Sequence, residues 1–221
     1  MNILVISPHM DDEVLGCGGT ISRHVEEGSD VFVCFAAHRV YNHKFDEKKN
    51  KVEKAHALKS KEILGYKEAV FFDLNDERLD VCVQDIIIPL EQYILKVKPA
   101  IVYCPFNGDN NQDHRAVFQA ARVALRPVST SYIKKILMYE VPSSTEQSPP
   151  LYECAFLPNY YVNITDFIDR KLQAVTCYET ERRQYPHPRS EKALKVLAQK
   201  RGTETGFDFA ESFMVLRDRW E

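Results

Sequence analysis

The six cysteines of this 221-residue chain, at 17, 34, 82, 104, 154 and 177, include no C-x-x-C pair. That excludes a zinc ribbon and a thioredoxin-type redox motif. Cys34 and Cys104 lie in the apolar runs VFVCFAA and IVYCP, where a small buried hydrophobe is expected rather than half of a bridge. No apolar run approaches the ~20 residues needed to span a bilayer, so no membrane partner is expected. Basic charge is not in excess either. Lys+Arg number 29 against 32 Asp+Glu, a net charge of −3, so the electrostatic footprint of a nucleic-acid binder is missing. The opening MNILVISPHMDDE has no basic leader; no signal peptide is expected, and a cytoplasmic, reducing compartment follows as the default. With 44% hydrophobic and 28% charged residues, what remains is a soluble globular chain of one large domain, 1–221, neither disordered nor collagen-like.

Short β-branched or aromatic runs alternate with longer helical patterns. Ile3–Ile6, Val31–Ala36, Val70–Leu74, Ile101–Cys104 and Ile136–Val141 read as buried strands. Leu15–Glu27, roughly 46–64, Asp80–Val97 and Asp113–Leu125 read as helices, with Pro89 expected to start or kink the third. The stripe Ala116, Val117, Ala120, Ala121, Val123, Ala124 makes the fourth the clearest. This alternation predicts an α/β fold, a Rossmann-like, mostly parallel sheet flanked by helices. From about 142, after the loop PSSTEQSPP, comes a C-terminal elaboration. It is expected to hold a strand at Tyr160–Ile164, helices over Asp166–Arg182 and Ser190–Lys200, and a last strand over Phe207–Leu216.

In open parallel sheets, ligands bind beyond the carboxyl ends of the strands. Three polar clusters fall there: SPHMDDE after the first strand, AHR (37–39) after the second, and PFNGDNNQDHR (105–115) after the fourth. His9 and Asp12, three apart on a tight loop, can present an imidazole and a carboxylate to one point, and His114 can add a third ligand. Two histidines and one carboxylate with an open position is a catalytic zinc set; ferrous iron would suit the same donors. Three successive acids in one loop also repel one another, which a bound dication relieves. For Asp113, helix capping competes with a supporting role. Gly16, Gly18 and Gly19 invite a dinucleotide reading, but an acidic triplet stands where a pyrophosphate would need bare amides. Close approach of the helix to the sheet explains the glycines better.

SPHMDDEVLGCGGT followed by NQDHRAV resembles the PIG-L/LmbE-like family of zinc-dependent N-acetyl-sugar deacetylases. The likeness extends through FDLNDERLD, YEVPSSTE, LPNYYVNIT, YPHPRS and GFDFAESF, nearly the whole chain. The resemblance implies zinc on His9, Asp12 and His114, Asp11 as general base, and hydrolysis of an acetamido group on an amino sugar of the N-acetylglucosamine type, free or conjugated. Two positions depart from the pattern. Met10 replaces a proline that carries no chemistry. Asn111 replaces a histidine credited with aiding the tetrahedral intermediate or protonating the leaving amine. Asparagine can donate a hydrogen bond to an oxyanion but cannot transfer a proton.

A departing amine still needs a proton. His187, between two prolines and beside Arg189, is expected to supply it, or else Asp11 returns the proton it took. His24, His43 and His56 read as surface residues among charges, and Glu13 as a support rather than a ligand. His38 and Arg39, ending a strand at the active edge, and Arg189 are expected to contact the substrate, a small molecule; association into a homo-oligomer is left open. Two other classes compete: a metal-free nucleotide-binding Rossmann enzyme, and a sugar- or metal-binding protein that has lost catalysis.

Overall fold

The structure, a computed structural model, describes residues 1–220. The buried runs become strands and the amphipathic stretches helices. The chain runs β1 (Asn2–Ser7), α1 (Asp12–Glu26), β2 (Asp30–His38), β3 (Val40–Tyr41), β4 (Lys44–Phe45), α2 (Glu47–Leu64), β5 (Glu68–Asn75), α3 (Val83–Val97), β6 (Ile101–Pro105), α4 (Gln112–Ala124) and β7 (Lys135–Tyr139). It continues through β8 (Tyr160–Asn163), α5 (Ile168–Val175), α6 (Glu191–Thr203) and β9 (Ala210–Asp218). Seven strands form one sheet in the order β5-β2-β1-β6-β7-β9-β8, and β3 and β4 pair as a separate hairpin. The pairings of β1 with β2 and β6, β2 with β5, and β6 with β7 are parallel; β9 alone runs against its neighbours.

Strand order reverses between β1 and β6, so the loops leaving these two strands flank a crevice at the sheet's carboxyl edge. Side-chain alternation divides the core between the two faces. Leu4 and Ile6 pack with α3 and α4, while Ile3 and Val5 pack on the side of α1, α2 and α5.

Three elements refine or depart from expectation. Pro89 lies well inside α3, which excludes the alternative that it starts the helix; the carbonyl it frees belongs to exposed Asp85, where water can satisfy it. The helix expected over Asp166–Arg182 is confined to α5, with 3-10 turns at Thr165–Phe167 and Glu179–Glu181. The β3–β4 hairpin went unread because two-residue strands show no periodicity. Its signal was in the turn, where Asn42 and His43 take φ 51° and 60° as a tight hairpin requires.

The glycines of α1 serve close packing. A Cβ on Gly16 would lie 2.4 Å from the Tyr139 ring, and one on Gly19 2.7 Å from Ile164. Next to them is a buried ion pair. Lys171 Nζ lies 2.6 Å from Glu211 Oε1 and donates to Leu15 O, while Glu211 also accepts the N–H groups of Gly19 and Thr20. This carboxylate ties β9 and α5 to α1. Removing one partner leaves an uncompensated buried charge, so Lys171→Met is expected to cost ~3–5 kcal/mol in denaturant unfolding. A loss below ~1 kcal/mol would mean that backbone donors alone sustain Glu211.

Candidate active site

β1 ends at Ser7, and its hydroxyl donates to the His9 carbonyl at 2.7 Å. The chain then turns sharply into α1. Asp11 sits at φ 127°, ψ −25°, a region rarely adopted by residues with a side chain and a form of strain that collects at functional sites. The turn sets His9 beside Asp12, whose Oδ2 accepts the His9 backbone N–H at 3.0 Å. From the other side of the crevice, β6 leads through Asp109 to α4. Asn111 caps that helix, its Oδ1 accepting the Asp113 N–H at 2.8 Å, and this brings His114 into the first turn.

Three buried donor atoms converge. Asp12 Oδ2 lies 3.2 Å from His9 Nδ1 and 3.2 Å from His114 Nε2, and the two nitrogens are 3.3 Å apart. An ion bonded at ~2.0–2.1 Å in tetrahedral geometry requires ligand separations of ~3.3–3.4 Å. The triangle therefore fits a small dication, and Asp12 Oδ1, buried without a partner, fits a carboxylate with spare acceptor capacity.

The outer nitrogens of both imidazoles face acids. His9 Nε2 lies 3.1 Å from Asp76 and 3.3 Å from Asp113; His114 Nδ1 lies 3.2 Å from Asp109. Asp113 also accepts the N–H groups of Glu77 and Leu79, and Asp109 accepts the Ser144 and Thr145 hydroxyls. Burial opposes charge on His9, but Asp113, Asp12 and Asp76 outweigh it and hold the ring well above its ordinary pKa. Burial likewise opposes charge on His114, yet Asp12 and Asp109 raise it to about 9. The pocket is thus built to hold positive charge, which bound protons or a dication can supply.

Asp11 adjoins this triangle without joining it. Its Oδ2 accepts from Arg189 Nη1 at 2.7 Å, and its Oδ1 is buried and unpartnered. Burial pushes the carboxyl up to about 6 against the pull of Arg189. Arg189 also donates to Ser143 and Glu181, and Glu181 in turn accepts from Arg39 at 2.7 Å. Arg39, Asp76 and Asn111 line a cavity of about 480 Å³ that opens on His9. Arg189 and Asn111 line its neighbour of about 580 Å³.

The structure therefore brings His9, Asp11, Asp12, Asn111, His114, Arg39 and Arg189 together. His187 makes no hydrogen bond to a side chain of this group. That ring accepts the Arg189 N–H at Nδ1 within its own turn, and it lines neither cavity at the triangle. Partial burial, Arg183 and Arg189 all lower its pKa. His187 Nδ1 is thus engaged within its own turn, and Arg189 is the residue of that turn whose side chain contacts Asp11. His38 donates to the Asp73 carbonyl, packs edge-on against Phe45 and lines an adjoining cavity of about 300 Å³ that shares Asp76 with the one opening on His9. His56 is not a surface residue, since it is buried on α2 beside Glu53. Asp76 and Asp109 were missed, although each follows a strand at the carboxyl edge. Only the fold reveals that they back the two imidazoles.

A family model described as PIG-L, GlcNAc-PI de-N-acetylase, matches residues 4–125. The chain is 33% identical over 148 residues to the Escherichia coli (strain K12) protein named uncharacterized deacetylase YaiS, covering 64% of this chain and 75% of that one. It is 26% identical over 222 residues to the diacetylchitobiose deacetylase of Thermococcus kodakarensis, covering 95% and 80%. Among solved structures, GalB, the 4-carboxy-2-hydroxymuconate hydratase of Pseudomonas putida KT2440, shares the fold. It superimposes with a TM-score of 0.80 at 22% identity over 100% of this chain and 98% of that one.

Proposed function

The chain belongs to the PIG-L, GlcNAc-PI de-N-acetylase family, and from that premise we propose that it is a zinc-dependent hydrolase that removes the acetyl group from an N-acetylated amino sugar, free or conjugated. The observation that carries this reading is the triangle of His9 Nδ1, Asp12 Oδ2 and His114 Nε2, with the carboxylate of Asp11 beside it but outside it. Zinc held there would supply a water of lowered pKa and polarise the acetamide carbonyl.

The chain's own groups do the rest. Asp11 Oδ1 takes the proton of the attacking water, while Arg189 keeps Oδ2 occupied and so orients the carboxylate. Asn111 Oδ1 is committed to its helix cap, which leaves the amide Nδ2 to donate to the developing oxyanion. Asp11 then returns its proton to the departing amine. Arg39, on the cavity wall, is positioned to meet substrate hydroxyls. Asp76, Asp109 and Asp113 hold the two imidazoles in orientation, as outer partners of metal-binding histidines do.

A metal-free nucleotide enzyme is disfavoured. Asp11 and Asp12 stand at the start of α1 where a pyrophosphate would need bare amides, and the glycines of α1 are consumed by contact with Tyr139 and Ile164. No helix among the described residues is long and apolar enough to cross a membrane. All six cysteines are free.

The deciding experiment is an acetate-release screen across N-acetyl amino sugars and their conjugates on zinc-loaded protein. Because a relative of the same fold is named a hydratase, the screen should include water addition to unsaturated di- and tricarboxylates. Acetate release supports the deacetylase reading; hydration without it would replace that reading.

A further inference from the structure

Glu13 is fully buried, yet no Lys, Arg or His pairs with it among the described residues. Its Oε1 accepts from Tyr178 Oη at 2.5 Å and from Ser60 Oγ at 3.2 Å; its Oε2 accepts the backbone N–H of Asp11 at 3.2 Å. A carboxyl in so dry a place is costly unless hydrogen-bonded, and here it is bonded entirely by neutral donors. It belongs to neither group of converging ligand atoms. What it grips is the peptide of the one residue in the turn with positive φ, Asp11 at 127°.

A carboxylate reaching back to the N–H of a helix cap is a common way to close a helix start. A surface cap, however, needs no further partners. This one is clamped from α2 by Ser60 and by Tyr178, which lies 165 residues further along the chain and beyond the segment 4–125 that the family model matches. Arg189, from the same C-terminal region, holds the other end of Asp11 through Oδ2.

We propose that Glu13, oriented by Tyr178 and Ser60, is a positioning residue for Asp11. It fixes the Asp11 peptide in its left-handed conformation, so that Oδ2 meets Arg189 and Oδ1 stays free toward the metal triangle. The proposal rests on the reading of Asp11 as the base. It assigns the C-terminal elaboration a task in catalysis, since without Tyr178 the grip on the catalytic turn is incomplete.

Three variants test it: Glu13→Ala, Glu13→Gln and Tyr178→Phe. Glu13→Ala should bind one metal ion per chain with unchanged KM and a kcat lowered by about tenfold or more, because sub-ångström misplacement of a reacting group is costly. Glu13→Gln should recover most of that loss. Its amide oxygen can accept the Asp11 N–H, and its amide nitrogen can donate to the two hydroxyl oxygens. Tyr178→Phe should fall between the two. A purely structural role predicts instead equal losses in Ala and Gln that track thermal stability, or full kcat in all three, and either result overturns the proposal. A crystal structure of zinc-loaded Glu13→Ala gives a readout free of turnover. Asp11 should leave positive φ; an unmoved Asp11 refutes the idea. If Glu13→Ala fails to fold, Tyr178→Phe carries both measurements, and full kcat with Asp11 unmoved overturns it. A wild-type protein that releases no acetate from any N-acetyl sugar counts against the proposed function alone, because the structural comparison still decides the positioning role.

Discussion

Asp11→Asn is expected to retain one metal ion per chain and to lose turnover by at least ~10²-fold, the lower scale for a positioned acid–base group. Asparagine is the right replacement on backbone grounds. At φ 127° a residue without a short polar side chain would add strain of its own, whereas Asn, like Asp, is enriched at positive φ. It keeps an oxygen for Arg189 Nη1, now 2.7 Å from Oδ2, and removes only the ability to take a proton. The ligand atoms of His9, Asp12 and His114 make no use of Asp11, so metal stoichiometry should be unchanged by elemental analysis. The loss should fall on kcat, because Asp11 acts on the water and not on the sugar. Near-normal turnover in a metal-replete variant would transfer the base's role to another residue, with Asp76 and Glu181, which line the cavity opening on His9, the carboxyls to examine.

The convergence of His9, Asp12 and His114 was legible in the sequence for a topological reason. The first polar residues after two buried strands must lie at the sheet's carboxyl edge, and the strand order set His9 and His114 on either side of the switch point. Side-chain direction within a turn was not legible. His187 and Arg189 are two residues apart, and no local pattern tells that the arginine side chain reaches Asp11 while His187 Nδ1 accepts the Arg189 N–H. Asn111 illustrates the same limit. Its oxygen serves the helix start, a role any Asn before a helix can take, and only the geometry reserves its nitrogen for the cavity. Asp76 follows β5, two strands from β1, and no spacing rule connects it with His9. Such cross-strand supports are set by packing rather than by local pattern.

The second large effect concerns His114. His114→Ala removes one vertex of a triangle whose edges are 3.2–3.3 Å; two remaining donors do not make a tetrahedral site. Bound metal should fall to trace levels after dialysis against a weak chelator, and acetate release should fall to background. Thermal stability supplies a readout independent of substrate. A ligand that binds only the folded state at ~100-fold excess over Kd stabilises by ~2.7 kcal/mol, equivalent to a Tm rise of about 5–10 °C for a domain of this size. Wild-type protein stripped of metal should show that rise on adding zinc, and His114→Ala should not. Asp109→Asn gives the graded comparison. It leaves all three ligand atoms and alters only the group facing His114 Nδ1, so zinc affinity should weaken by ~10–100-fold without being lost. If His114→Ala still gains the full zinc-induced stabilisation, the ion is held elsewhere, and the second grouping, His9 Nε2 with Asp76 and Asp113, becomes the site to test.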